Sequence, residues 1–230
     1  MQGLGLFLGF TLLSLSRPGL SPDSLERLPV WAALRQLPPL AQDEVLWLAR
    51  CIYSETNRPE EQRLVAWVVR NRVETRYRGD TYREVVLEPL QFSAFNRPSP
   101  RRDFILTLTP HATAPGWQQA LRIALEVYQA PASARPFPIT VRHFYSPISM
   151  PTNNPPLWAQ AGVPFQGPAV AHIDPQRFRF FDRVDAELDP PVARASSVTV
   201  PSTLRRPTLR LSSRIPRPAR PVPPSRPSEP

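Results

Sequence analysis

Residues 190–230 cannot build a hydrophobic core, and that limits where this chain folds. Eleven of its 32 prolines fall there, with eight Arg, one acid (Glu229) and no Gly. Too little apolar surface is present to offset the entropy of ordering the backbone. The expectation is a disordered, basic, Pro/Arg-rich tail over 186–230, stiffened toward polyproline II where "RPVPPSRP" runs. Residues 190–230 carry +7 of the formal +9, so residues 1–189 are close to neutral, with 20 Arg against 18 acids. The tail is either a solvated extension or an electrostatic tether to an anionic polymer, such as nucleic acid or a bacterial envelope. No aromatic residue is interleaved with its arginines, which argues against base stacking.

The opposite end speaks to compartment. "GLGLFLGFTLLSL" (3–15) has the length of a signal-peptide apolar core and is too short for a membrane span of about 20 residues. No Lys or Arg precedes it, and "SLS" is a poor cleavage site. Residues 1–16 are read as a signal peptide or N-terminal anchor, with a buried N-terminal helix as the alternative. An extracytoplasmic location follows from the first reading. The single Cys51 rules out an intrachain disulfide and, lying on an apolar stripe, reads as a small buried thiol.

Between these ends the apolar periodicity predicts one α+β domain over 41–185, preceded by a linker over 17–40 that holds a short helix broken by Pro29. A helix is expected from about Gln42 to Glu55, and a second over 59–76. Pro59 sits at the N-terminus of the second, with Glu60 and Glu61 complementing its dipole. "TYRE" (81–84) is a capping box opening a short helix. "PLQFSAFNRPSP" reads as an aromatic-rich loop, 101–114 as irregular, and "PGWQQALRIALEVYQA" (115–130) as a third clear helix. "FPITVRHFYSP" (137–147) and "RFRFFDRV" (177–184) read as strands, and "NNPPLWAQAG" as loop.

The chemistry centres on "WLARCIYSETN" (47–57). Trp47, Leu48, Cys51 and Ile52 make a helical apolar stripe, and Glu55 stands on the same face. Burial would raise the pKa of that carboxyl, and the helix C-terminus pushes the same way. A carboxylic acid kept protonated near neutrality is what a general acid requires; the plainer alternative is a helix-end Glu turned to solvent. Gln91, Phe92, Ser93, Phe95 and Asn96 mix amide, hydroxyl and ring groups in six residues, which suits a sugar or, more simply, a core-lining loop. His111, His143 and His172 lack metal-ligand spacing, and no metal, phosphate or acyl-transfer motif is present, so no cofactor is expected. His143 reads either as a hydrogen-bonded strand residue or as part of a cleft wall.

The segments "LARCIYSETNRPEEQRLVAWVVRNRV", "QFSAFN", "RHFYSP" and "PLWA", in that order across about 46–160, resemble the bacterial cell-wall hydrolase family that includes the spore-cortex-lytic enzymes. The resemblance implies a lysozyme-like fold and cleavage of the MurNAc–GlcNAc bond of peptidoglycan, generally as a lytic transglycosylase that needs one acid. It matches Glu55 to the catalytic glutamate, and Gln91, Phe92, Ser93 and Asn96 to a substrate loop, with Tyr145 and Trp158 as further substrate contacts. It implies a monomer acting on glycan strands, with the tail touching anionic envelope polymers and no specific nucleic acid bound. Ser54 stands where the family usually has Gly, Thr56 and Asn57 replace Ala-Arg, and Phe95 replaces a Trp. Those departures keep open a glycan-binding module on the same fold that has lost catalysis. A nucleic-acid role for the tail is the weakest alternative, because the folded part has almost no excess basic charge.

Overall fold

The computed structural model describes residues 29–96, 98–150 and 154–184, all within one compact unit. The expected segment over 1–16, most of the 17–40 linker and the tail over 186–230 lie outside the described residues.

Prolines set where the helices begin. Helix α1 (Val30–Leu34) follows Pro29, the point where the sequence expects an interruption. Helix α2 (Pro39–Glu55) starts three residues before the expected position because Pro39 occupies its first turn, where a missing N–H costs nothing. Val45, Leu48, Ala49, Cys51 and Ile52 on this helix are fully buried. Helix α3 (Pro59–Glu74) again opens on a proline, and it buries Leu64, Val65, Ala66, Trp67, Val68 and Val69. The short α4 (Tyr82–Leu87) is capped by the Thr81 hydroxyl, which accepts from the Glu84 N–H at 3.1 Å. The Glu84 carboxylate reaches back to the Asp80 N–H at 2.8 Å, one residue earlier than a standard capping box.

Two segments read as irregular are helical. Helix α5 (Pro100–Thr107) is capped by Ser99, whose hydroxyl accepts from the Arg102 N–H at 3.2 Å, with Pro100 and Asp103 in its first turn. The second corrected segment is the loop "NNPPLWAQAG", which contains α7 (Leu157–Ala161), entered from Pro156. Between them lies α6 (Trp117–Gln129), whose Trp117 is fully buried with its indole N–H bonded to the Thr109 carbonyl at 2.7 Å. Helix α6 packs against both α2 and α3, and these three carry the hydrophobic core.

Strands β1 (Val141–Tyr145) and β2 (Arg179–Asp182) pair antiparallel, with His143 opposite Phe181 and a register irregularity between Val141 and His143. The described residues therefore form an α-rich α+β fold of seven α-helices and one two-stranded antiparallel sheet. None of these helices is long and apolar enough to cross a membrane.

Two polar devices fix the sheet to the helices. Asn71, fully buried near the end of α3, donates to the carbonyls of Val141 (2.9 Å) and Pro138 (3.2 Å). Its neighbour Arg72 donates through Nε to the Arg142 carbonyl at 2.7 Å. At the other end of α3, Glu61 is 1% exposed and takes both Arg177 nitrogens, at 2.7 and 2.9 Å, as well as the Thr56 hydroxyl. Burial alone would push the Glu61 carboxyl up. Arg177, Thr56 and Arg58 outweigh it and hold the pKa below the ordinary carboxylate value.

A buried carboxylate stripped of its partner is costly, so Arg177→Met is expected to lose about 3 kcal/mol in chemical denaturation. Glu61→Gln in that background should restore part of the loss. Because the Glu61 pKa is depressed in the folded state, its contribution is complete above the unfolded value. It disappears as pH falls through the folded one, so the difference between Arg177→Met and the parent should shrink in acid.

Candidate functional site

The end of α2 opens into a cleft of about 790 Å³, within the usual range of about 300–1,000 Å³ for ligand sites. Glu55 is the last residue of α2, and it is the only carboxylate among the described residues lining the cleft. The residue keeps partial exposure toward the cleft, whereas its carboxyl is surrounded by protein atoms. Burial lifts its pKa from 4.5 to about 7, against the opposing pull of Arg101 first and Arg72 second. No hydrogen bond or ion pair ties the carboxyl down among the described residues. Such a group holds a proton near neutrality and can deliver it to a bound molecule.

One wall is the loop after α4. Gln91, Ser93 and Asn96, the polar residues of that loop, line the cleft. The Gln91 side-chain oxygen accepts from Arg72 at 2.9 Å, and the Asn96 side-chain oxygen accepts from the Leu90 N–H at 2.8 Å. Both amides thus have their oxygens engaged within the protein and their NH₂ groups left to donate. Leu90 supports this turn in a left-handed conformation (φ 64°) while 70% exposed at the cleft edge. Phe92, expected among the substrate contacts, points the other way. It is 1% exposed and packs on Phe144 with ring centres 6.2 Å apart, so it supports the loop from beneath.

The opposite wall comes from β1 and α7. Tyr145 and Trp158 both line the cleft, with ring centres 6.0 Å apart in an edge-to-face arrangement. Phe181 backs both, and His143 lies 5.1 Å from the Trp158 ring. His143 combines the two roles open to it in the sequence. It borders the cleft, yet it is 1% exposed and bonded through Nε2 to the Tyr77 hydroxyl at 3.0 Å. A clamped aromatic wall of this kind offers apolar faces at little entropic cost.

Ser54 is turned inward, its hydroxyl bonded to the Cys51 carbonyl at 2.7 Å. Cys51 is fully buried, and burial pushes its thiol pKa up, which suits an inert structural group. Glu84 and Glu88, near the loop, do not line the cleft: Glu84 caps α4 and Glu88 lies 3.7 Å from Arg78. No cluster of three or more His, Cys, Asp and Glu that could hold a metal occurs among the described residues.

Sequence reasoning missed the two cations nearest the acid. Arg101 hangs from α5 and donates to the Ser54 carbonyl at 2.7 Å. Arg72 lies under the loop with its guanidinium 5.4 Å from the Phe92 ring centre. The cap signature "SPRRD" could have exposed α5, and hence Arg101. Arg72 lies inside the "RNRV" segment, but its place at the cleft is set by partners distant in sequence. Comparison of the chain with protein-family models, curated proteins and solved structures finds no match.

The raised pKa has a thermodynamic consequence. The unfolded chain ionises Glu55 from about 4.5, while the folded chain holds the proton until about 7. The favourable contribution is complete below the lower value and lost as pH rises through the upper one. Glu55→Gln should therefore leave the melting temperature nearly unchanged at pH 4 and raise it at pH 8. With water reaching the cleft, a gain on the order of 2 kcal/mol is expected, read by calorimetry at the two pH values.

Proposed function

We propose that this chain cleaves the MurNAc–GlcNAc bond of peptidoglycan glycan strands, with Glu55 as its single general acid, on a lysozyme-like fold. The observation that carries the reading is a cleft lined by one carboxylate with a pKa of about 7. The resemblance of "IYSETN", "RNRV" and "QFSAFN" to the cell-wall hydrolases supplies the substrate class.

In the proposed reaction protonated Glu55 donates to the glycosidic oxygen as the bond from C1 breaks, and the GlcNAc side departs as an alcohol. The 6-hydroxyl of the same MurNAc closes on C1, and its proton returns to the Glu55 carboxylate. The product carries a 1,6-anhydro ring, and neither water nor a second carboxylate takes part. A hydrolase would need a partner acid about 5–9.5 Å away, and no other described carboxylate borders the cleft. The Gln91 and Asn96 amides are suited to the acetamido and hydroxyl oxygens, and the Tyr145–Trp158 wall to an apolar sugar face. Arg101 and Arg72 limit the pKa rise, so the acid can give up its proton and take one back within a turnover.

Mass spectrometry of purified peptidoglycan digested by the full chain, beside Glu55→Gln, tests this. Anhydro-muropeptides from the first and none from the second are expected, with the parent's activity falling as pH rises through about 7. Reducing-end products would replace the one-acid route by hydrolysis. Binding of the glycan without any product would leave a binding module.

A further inference from the structure

Among the described residues, two amides, two guanidinium groups and a single carboxyl line the cleft, beside several hydroxyls. Gln91 and Asn96 have their oxygens satisfied inside the protein and present NH₂ groups. Arg101 adds a guanidinium that spends one contact on the Ser54 carbonyl at 2.7 Å and is otherwise exposed to the cleft. The single carboxyl, Glu55, is neutral below about pH 7 and so adds no negative charge there. A ligand complementary to such a surface carries acceptors and negative charge.

Arg101 differs from the scaffold arginines. Arg63 pairs with Glu126 at 2.7 Å, Arg70 with Glu74 at 2.6 Å, and Arg177 with Glu61 at 2.7 Å. Arg135 also pairs with Glu74. No acid lies within ion-pair distance of Arg101 among the described residues. Its planar fork is anchored at one corner by a carbonyl of the residue preceding the acid, which fixes its position relative to Glu55. A guanidinium so held, with donors to spare, is shaped for bidentate capture of a carboxylate.

We infer that Arg101 is a specificity-determining residue that pairs with a carboxylate carried on the 3-O-lactyl arm of the muramic acid. This inference rests on the proposed glycan reading. In the reaction proposed above, the sugar whose C1 bond breaks is the one that bears the lactyl arm, so arm and scissile bond lie on one ring. The carboxylate is either the lactyl acid itself, on strands stripped of peptide, or the first acid of a stem peptide. Both present the same group to the guanidinium.

The test is equilibrium binding by calorimetry in the Glu55→Gln background, where no turnover is expected. Three GlcNAc–MurNAc tetrasaccharides serve as ligands: free lactyl carboxylates, lactyl methylamides, and intact stem peptides. At least one anionic ligand should bind about tenfold or more tightly than the methylamide, the strength of a charge-assisted pair. Which anionic ligand does so separates the two sources. Adding Arg101→Gln should abolish that preference, bringing the anionic ligands down to the methylamide, and Arg101→Lys should restore part of it. Equal binding of all three ligands overturns the inference and leaves the glycan reading standing. So does a uniform loss of affinity for all three in Arg101→Gln, which would mark Arg101 as only a support for the Ser54 carbonyl. Binding of none of them by the Glu55→Gln protein overturns the glycan reading as well.

Discussion

The cleft depends on the docking of strand β1 against the end of helix α3. Asn71 and Arg72 together donate to three carbonyls of the β1 segment, at Pro138, Val141 and Arg142. Strand carbonyls turned toward a helix would otherwise be buried without partners, each costing about 1–3 kcal/mol. Once β1 is held there, His143 and Tyr145 face the end of α2, and α7 can bring Trp158 against them. Arg72 extends the same clamp to the Gln91 amide, so one side chain orients both walls of the cleft. Asn suits the buried position because its NH₂ reaches two carbonyls at once, and Arg suits the next because a rigid fork spans strand and loop.

Two opposing influences govern the acid, and burial is the larger. Desolvation favours the neutral carboxyl, and the two guanidinium groups favour the anion. With burial alone the group would hold its proton too firmly to release it. With the cations alone it would be ionised throughout the neutral range. The balance falls at about 7, where both directions of proton transfer cost little. This arrangement uses no hydrogen bond to the carboxyl, so nothing competes with a bound oxygen for its proton. The cations act through space: Arg101 is held on the Ser54 carbonyl and Arg72 on Arg142 and Gln91.

Much of this was legible in the chain because it is written in local patterns. Glu55 stands out as a carboxylate on an apolar helical stripe, and the raised pKa follows from that position. The prolines at 39 and 59 and the cap at Thr81 mark helix starts whose physics is contained in a few residues. Helix α5 is not legible although Ser99, Pro100 and Asp103 spell a start, because it buries only Ile105 and carries no apolar stripe. Phe92 and Phe95 were ambiguous for a different reason. Their burial is set by Phe144 and Trp47, partners distant in sequence, and no local pattern says which ring turns inward. Arg72 belongs with them, since its role is defined by an amide nineteen residues away and a carbonyl seventy away.

Ser54, beside the acid, shapes the backbone at the end of α2. A glycine there would leave the end of α2 freer to fray, because nothing but the helix itself would hold it. Ser54 instead bonds back to the Cys51 carbonyl three residues earlier, adding a side-chain bond within the last turn of the helix. Its own carbonyl is then taken by Arg101 and the next turn by Thr56, whose hydroxyl bonds to Glu61. The residues flanking Glu55 on both sides are thereby fixed by side chains from α5 and α3. The acid itself remains the one polar group in the segment without a fixed partner, and rigidity in its neighbours is what allows that freedom without loss of position.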